Sequence, residues 1–446
     1  MELSRLIEIL RSNGIVGCGG AGFPSHAKLN KSADTVILNC AECEPLLKLH
    51  RQVMEKYAYE IMTALEDVAE ALEVSNVIIA IKQSYGRAVE AITANLSSFR
   101  HIKIGLLPEI YPAGDEVVTI YETTGRVVPP GSIPIAVGCV VYNVETMLNI
   151  YNAVHADTPV TEKFVTVCGE VRNPVTLKVP LGVTFAELVE AAGGATIENP
   201  VYLCGGPMMG TLTGPDGVVT KTTSSIILLP DNSYVVTHHR PNIKLQFRRA
   251  KAVCCNCHMC SDLCPRHLLG EPISPADFMT AGVSMRTDNV KPFLGTLYCC
   301  GCGVCEMYAC PQGLSPKTLI NEYKAGLRKH GVAMAGQAEL KPVSATRPHR
   351  MLSKERLTAR LGLSKYDLPA PLTGTEVKFT RLRLKLSQHI GVPCVPSVQA
   401  GDTVTKNQLI AATPATSLGV ALHSPVDGIV ESVTDSEIII SARRGF

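Results

Sequence analysis

The chain has almost no excess charge: 42 Lys and Arg stand against 40 Asp and Glu over 446 residues, a formal balance of +2. That lack argues against a nucleic-acid partner, which leaves a broad basic footprint on the protein that binds it. No basic stretch followed by an apolar core opens the sequence, so a secretory leader is not expected. Although 46% of the residues are hydrophobic, no uninterrupted apolar run is long enough to span a membrane. Trp is missing, and aromatic residues make up only 5%. The 36 Gly and 29 Pro show no collagen-like period and mark turns and close backbone approaches instead. What remains is a soluble, cytoplasmic chain of about three domains, with peripheral attachment to a larger assembly compatible with it.

Seventeen cysteines are present, in a chain too long to be a small disulfide-stapled scaffold. Eight of them form two arrays. Cys254, Cys257, Cys260 and Cys264 precede Pro265 with the spacing C-x2-C-x2-C-x3-C-P of cubane iron–sulfur ligation. Cys299, Cys302, Cys305 and Cys310 precede Pro311 with the same first intervals and one extra residue before the last Cys. Short x2 intervals let a curved loop aim three sulfurs at one cubane, and a remote sulfur completes it. In paired arrays the fourth thiolate reaches across to the other cluster. The expected sets are therefore Cys254, Cys257, Cys260 and Cys310 for one centre and Cys299, Cys302, Cys305 and Cys264 for the other. Cys255 and Cys300, each beside a ligand position, are expected to be spare. Either set of four also satisfies the ligand count of structural zinc, but two paired arrays ending in Cys-Pro point to two [4Fe–4S] clusters.

Around these arrays the periodicity changes several times. Residues 1–150 alternate helical and strand patterns: a short helix over Leu3 to Leu10, a buried strand over Thr35 to Asn39, a long helix over Arg51 to Leu72, a strand over Val77 to Ile81 and a helix through Ala94. Residues 160–215 read as a small β-grasp-like unit. Thr184 and Glu187 have capping-box spacing there, ahead of a helix that stops at Gly193 and Gly194. Ser274-Pro275 and Ser315-Pro316 mark helix starts beside the arrays. The last 75 residues carry short β patterns, with turns at Ala400-Gly401-Asp402 and Val426-Asp427-Gly428.

The stretch Gly17-Cys18-Gly19-Gly20-Ala21-Gly22-Phe23-Pro24 is dense enough in glycine for backbone N–H groups to approach a phosphate or planar ligand, with Lys28 nearby. It lacks the G-x-G-x-x-G fingerprint, and a tight structural loop is the competing interpretation. Cys40 and Cys43 are read as loop residues of the same region and not as metal ligands.

Gly17 to Lys28 resembles the glycine-rich loop of the flavin-binding subunit of respiratory NADH dehydrogenase and its RnfC relatives. Asn39-Cys40-Ala41-Glu42-Cys43-Glu44-Pro45, Tyr111-Pro112-Ala113-Gly114-Asp115-Glu116 and Tyr142-Asn143-Val144-Glu145-Thr146 are similar to further segments of that domain. The resemblance implies noncovalent FMN and a pocket for NADH. The implied pocket residues are Gly17, Gly19, Gly20, Gly22, Phe23, Lys28, Asn39, Glu42, Glu44, Gly114, Asp115, Glu116, Asn143, Glu145 and Thr146, with Glu42 and Glu44 on the nicotinamide side. Cys18 departs from the pattern, occupying a place that is often basic.

The middle of the chain resembles an SLBB domain. His389-Ile390-Gly391, Gly401-Asp402 and His423 to Gly428 resemble the RnfC barrel-sandwich domain, here at the carboxy-terminal side. That order is closest to the cobalamin reductases of propanediol-utilising bacterial microcompartments. The implied architecture is multidomain α/β and α+β: an FMN/NADH-binding α/β domain (1–155), an SLBB β-grasp-like domain (156–240), a ferredoxin-like two-cluster domain (245–335), a connector (336–371) and a barrel-sandwich-like β domain (372–446).

The implied activity is NADH-dependent reduction of cobalamin for cofactor recycling. Its implied partners are cobalamin, a cobalamin adenosyltransferase and a microcompartment shell protein. The alternatives are an RnfC-like NADH–ferredoxin subunit docked to a membrane complex, or a nonenzymatic electron carrier of a protein shell. His267, His389 and His423 are possible acceptor-side residues, each also explained by local hydrogen bonding. The basic segment Lys244 to Lys251 is either a guide for an acidic electron-transfer partner or a solvated connector.

Overall fold

The computed structural model describes residues 1–286, 288–334 and 338–443. Positions 336 and 337 of the expected connector and 444–446 of the expected last domain lie outside the described residues. Among those described, no helix is long and apolar enough to cross a membrane.

The amino-terminal region is built on a parallel sheet in the order Ile102–Leu107, Asn76–Lys82, Thr35–Asn39, Cys139–Asn143. Val36, Ile37 and Leu38 are wholly buried, as a strand covered on both faces requires. Val36 and Leu38 join the core made with helices Leu3–Ser12, Ala58–Leu72 and Val144–Ala156, whereas Ile37 joins the opposite core with Glu116–Thr124. The long helix expected over Arg51 to Leu72 is two helices, Leu49–Lys56 and Ala58–Leu72. Tyr57 leaves helical geometry (φ −126°, ψ 34°) and packs its ring 6.1 Å from that of Phe164. An aromatic tertiary contact here overrides the local periodicity.

The second sheet has six strands in the order Leu372–Thr373, Val175–Pro180, Glu162–Gly169, Ser225–Leu229, Val201–Cys204, Thr211–Thr213. Ser225–Leu229 runs parallel to Glu162–Gly169 and antiparallel to Val201–Cys204. The helix Phe185–Ala191 starts at a complete capping box, Thr184 with Glu187, and is followed by Gly193 and Gly194 in the left-handed region. The carboxy-terminal strands form a four-stranded and a three-stranded sheet. Leu382, Leu384, Ile438 and Ile440 share one continuous core with Val165, Leu177 and Leu188 of the second sheet.

Short helices surround the cysteine arrays: Ile243–Val253, Met259–Asp262, Pro265–Leu268, Pro275–Ser284, Lys291–Leu294 and Pro316–Lys329. The connector is more than a spacer. Leu352–Ser353 pairs with Ile110–Tyr111 of the amino-terminal region.

Candidate functional site

In the parallel sheet the chain leaves Thr35–Asn39 toward one neighbour and returns to Cys139–Asn143 on the other side. Ligands of open α/β sheets bind at such a switch point, outside the carboxyl ends of the strands. Asn39 and Asn143 are those ends and stand in register. A cavity of about 800 Å³ opens there.

Its first wall is the glycine loop. Gly20 (φ +81°) and Gly22 (φ +71°) are left-handed. Among the described residues, the N–H groups of Gly19, Gly20, Ala21 and Gly22 donate to no protein acceptor, whereas that of Gly17 closes the loop on Phe23 O at 2.9 Å. A run of free N–H groups with alternating left-handed residues makes an anion-binding concavity. Lys28 is committed elsewhere: its Nζ donates to Val141 O (2.8 Å) and pairs with Glu116 (3.1 Å). Cys18 does not face the cavity as a basic residue would. It is buried, its N–H donates to Thr146 Oγ1 (3.0 Å), and burial pushes its thiol up to about 12.

Gly17, Gly19, Gly20, Gly22, Phe23, Lys28, Asn39, Glu42, Glu44, Gly114, Asp115, Glu116, Asn143 and Thr146 all line this cavity. Asn39 spans its floor, donating to Gly114 O (2.9 Å) and accepting from the Ala41 N–H (3.0 Å). Asn143 accepts from the Glu145 N–H and places its amide 2.9 Å from His50 Nε2. Glu145 is the exception. It lies beneath the wall, ion-paired with the fully buried Lys163 and accepting from the Phe164 N–H at 3.0 Å. It is not among the residues that line the cavity, and its carboxylate compensates the Lys163 charge, which would be costly to bury unpaired.

The cysteines surround two hollows. Cys264, Cys299, Cys302 and Cys305 line one, together with Cys300 and Pro265. Cys254, Cys257, Cys260 and Cys310 line the other, together with Cys255 and Pro311. The first set is deep: Cys264, Cys302 and Cys305 are buried. The second opens outward, with Cys257 exposed. Among the described residues, no three His, Cys, Asp or Glu side chains converge on one point as ligands of a single ion would. Four thiols around each hollow are the donor chemistry a cubane requires, and the free N–H groups above are what a flavin phosphate requires.

The flavin-side cavity and the inner hollow share a wall. Cys300 and Cys302 line both. Tyr111 crosses it, its hydroxyl donating to Cys302 O at 2.7 Å. Next to it, Arg266 pairs with Asp115 (2.9 Å) and Glu271 (3.6 Å), all three largely buried. Asp115 meanwhile caps the helix Glu116–Thr124 by accepting from the N–H groups of Val117 and Val118. Glu44 lies in the same lining. Burial pushes its carboxyl up to about 7, against the opposing hydrogen bond from Met208 N–H (2.9 Å) and the charges of Lys317 and Lys354. Among the described residues, its Oε1 and the Nδ1 of His50 are buried without a hydrogen-bond partner.

Sequence reasoning missed part of the lining. Cys204, at the end of a strand of the second sheet, and Gly205, Gly206, Met209 and Gly210 after it also line the cavity. A Cβ on Gly206 would stand 2.2 Å from the Glu44 carboxylate, so a larger residue there would displace the Glu44 side chain. The dense Gly205-Gly206-Pro207-Met208-Met209-Gly210 run was the available signal. His50 was missed too, and nothing in its helical setting marks it. The histidines considered for an acceptor are engaged or enclosed. His267 Nδ1 lies 2.7 Å from Ile273 O and His389 packs against Gly22. His423 is buried, and burial pushes its imidazole down to about 4.

Comparison with known proteins gives four domain matches: Nuo51 FMN-binding domain at residues 10–152, SLBB domain at 164–212, 4Fe-4S dicluster domain at 253–315 and RnfC barrel sandwich hybrid domain at 373–443. The chain is 40% identical over 434 residues to the cobalamin reductase PduS of Citrobacter freundii, covering 97% of this chain and 95% of that protein. It is 39% identical to the PduS of Salmonella typhimurium, covering 99% and 97%. One component of the Na(+)-translocating ferredoxin:NAD(+) oxidoreductase complex of Acetobacterium woodii is 31% identical over 62% of this chain and 61% of its own length.

Proposed function

The chain belongs to the cobalamin reductase PduS family, and from that premise we propose that it takes hydride from NADH at the switch-point cavity and delivers single electrons, through the inner and then the outer cysteine array, to cobalamin. FMN bound in the cavity would supply the conversion of a two-electron donor into one-electron outflow, and [4Fe–4S] clusters held by the two cysteine sets would supply the one-electron carriers. The observation that carries this reading is the wall of Cys300 and Cys302, common to the cavity and the inner hollow. It gives the path an order, with Cys257 at its exposed end.

The protein supplies position and environment. The N–H groups of Gly19 to Gly22 hold phosphate. Asn39, Asn143 and His50 form the floor, and Glu42 and Glu44 set its polarity. We assign Cys264, Cys299, Cys302 and Cys305 to the inner cluster and Cys254, Cys257, Cys260 and Cys310 to the outer one. Tyr111 and the Arg266–Asp115 pair hold the inner array against the cavity. For a chain that works on cobalamin we propose a cytoplasmic location at a propanediol-utilising microcompartment, with an adenosyltransferase or a shell protein as neighbour.

Anaerobic titration with NADH, followed separately by cobalamin and by ferredoxin, tests the reading. Flavin bleaching followed by cluster reduction and corrin reduction is the expected result. Unchanged flavin absorbance rules out NADH as direct donor. Efficient ferredoxin reduction with no corrin reduction moves the chain to the activity named for its 31%-identical relative.

A further inference from the structure

Charge in this protein is balanced overall, but not along the helix Ile243–Val253. The chain has no Asp or Glu between Asp231 and Asp262. Lys244, Arg248, Arg249 and Lys251 on this helix are all exposed, and among the described residues no ion pair or hydrogen bond engages their side chains. Lys244 and Arg248 stand four residues apart and Arg248 and Lys251 three, spacings at which like charges destabilise a helix. Alanine or glutamate at Lys244, Arg248 or Lys251 would relieve that repulsion.

The helix ends at the outer array. Cys254 is its C-cap, its N–H closing on Ala250 O at 3.1 Å. Cys255, Asn256, Cys257 and His258 follow, all exposed. Three apolar side chains lie open in the same stretch: Leu245 (51% exposed), Val253 (46%) and Met259 (39%). Unpaired cations, exposed apolar side chains and the accessible end of a redox path therefore occupy one run of 16 residues, 244–259.

We infer that this face is the docking surface for an acidic protein that accepts electrons one at a time from the outer array. A small acceptor gains little from four cations spread along a helix. An acidic protein gains steering, which raises encounter rates steeply at low ionic strength, and a small contact suits turnover. A nucleic acid would find the same cations but no use for the thiols beside them. In each encounter one electron would leave the outer centre and reduce the partner's acceptor by one, with no bond formed or broken at the docking face. Each NADH, giving up hydride at the cavity to become NAD+ with release of a proton, would supply the electrons for two such encounters. The docking face presupposes the electron path proposed above, and its test separates the two.

The test uses the cluster-loaded, full-length chain and flavodoxin as an acidic, one-electron-accepting probe. Calorimetric affinity without NADH and stopped-flow reduction of the probe with NADH are both read. Between 50 and 200 mM salt the affinity should weaken about tenfold or more, a range chosen for its change in screening length. The triple variant K244E/R248E/R249E should lose at least about tenfold in affinity and in probe reduction. Its iron content, its flavin bleaching by NADH and its reduction of free cobalamin should match the unaltered chain. The milder K244Q/R248Q/R249Q should fall between, which serves if the reversed charges disturb folding. No flavodoxin binding at low salt, equal affinity in variant and parent, or preferential binding of a DNA duplex each overturns the docking face. Failure of the unaltered chain to pass electrons from NADH to cobalamin overturns the reading above while leaving the affinity result to stand alone.

Discussion

The two cysteine arrays are nearly the same sequence and occupy opposite environments. Both have two x2 intervals, and both end in Cys-Pro. Yet Cys302 is buried beside the flavin-side cavity, whereas Cys257 lies in the open beside a helix whose cations have no ion-pair partner among the described residues. Spacing determines what each array binds, and the surroundings determine what it is for. The inner array is walled by Tyr111, Arg266 and Met208 of the Gly205 to Gly210 turn, which come from three separate regions. The outer one rests on Met279 and Leu314 and reaches solvent at Cys255 and Cys257.

The strongest way to break this comparison is to remove one thiol from each side. Cys302→Ser should leave flavin reducible by NADH but stop both arrays from filling. Cys257→Ser should leave the inner centre reducible and stop transfer outward. Each should cost at least the roughly 10–100-fold that even outer partners of a metal site cost, measured as rates of cluster reduction and of acceptor reduction. Equal phenotypes in the two variants would dissolve the proposed order. A second, smaller contrast follows from exposure. Under a chelator with mild oxidation, iron should fall first from about eight to about four per chain, and the signal that persists should be the one coupled to flavin.

Much of this was legible from local pattern. The cysteine spacings, the glycine loop, the Thr184 capping box and the buried strand Thr35–Asn39 are each determined within a dozen residues. What escaped depends on contacts across the chain. Glu44 meets Met208, 164 positions away, and no periodicity records that. Glu145 sits inside a flavin-like motif, but the strand that brings Lys163 beneath it turns it into an ion pair. The break at Tyr57 likewise depends on Phe164. Local chemistry shows in a local pattern, whereas the closing of a cavity by a neighbouring unit does not.

The next sharpening concerns how firmly the inner array is held. Arg266→Ala leaves Asp115 and Glu271 facing one another, with side chains only 13% and 4% exposed. Loss of one partner in such a buried group costs about 3 kcal/mol, which chemical denaturation would read. Asp115→Asn separates the two duties of that residue, because Asn caps a helix as well as Asp but cannot pair with Arg266 as an anion. If the interface matters for electron flow, both variants should slow inner-array reduction without changing the reaction of flavin with NADH. An Asn variant as stable and as fast as the parent would reduce the ion pair to decoration.

The smallest expected effect is a difference in what each region senses. The outer face carries charges that respond to salt, and the inner cavity carries Glu44, which responds to pH. Its carboxyl holds a proton up to about 7 in the folded chain, against an ordinary value of 4.5. A group bound more tightly to its proton when folded stabilises the fold fully below its unfolded value and loses that contribution as pH rises through its folded value. The parent should therefore lose stability between pH 4.5 and 7 relative to Glu44→Gln, which never ionises. The pull of Lys317 and Lys354 on the ionised form and the Met208 N–H bond to it are already part of that folded value, so the difference at pH 8 should be at most about 3 kcal/mol. Thermal unfolding of both proteins across that range reads it. Parallel curves would mean that water reaches the carboxyl through the cavity and that its ionisation is not coupled to folding. Converging curves at low pH with a gap above neutrality would place the pH sensor on the inner side, away from the face that salt controls.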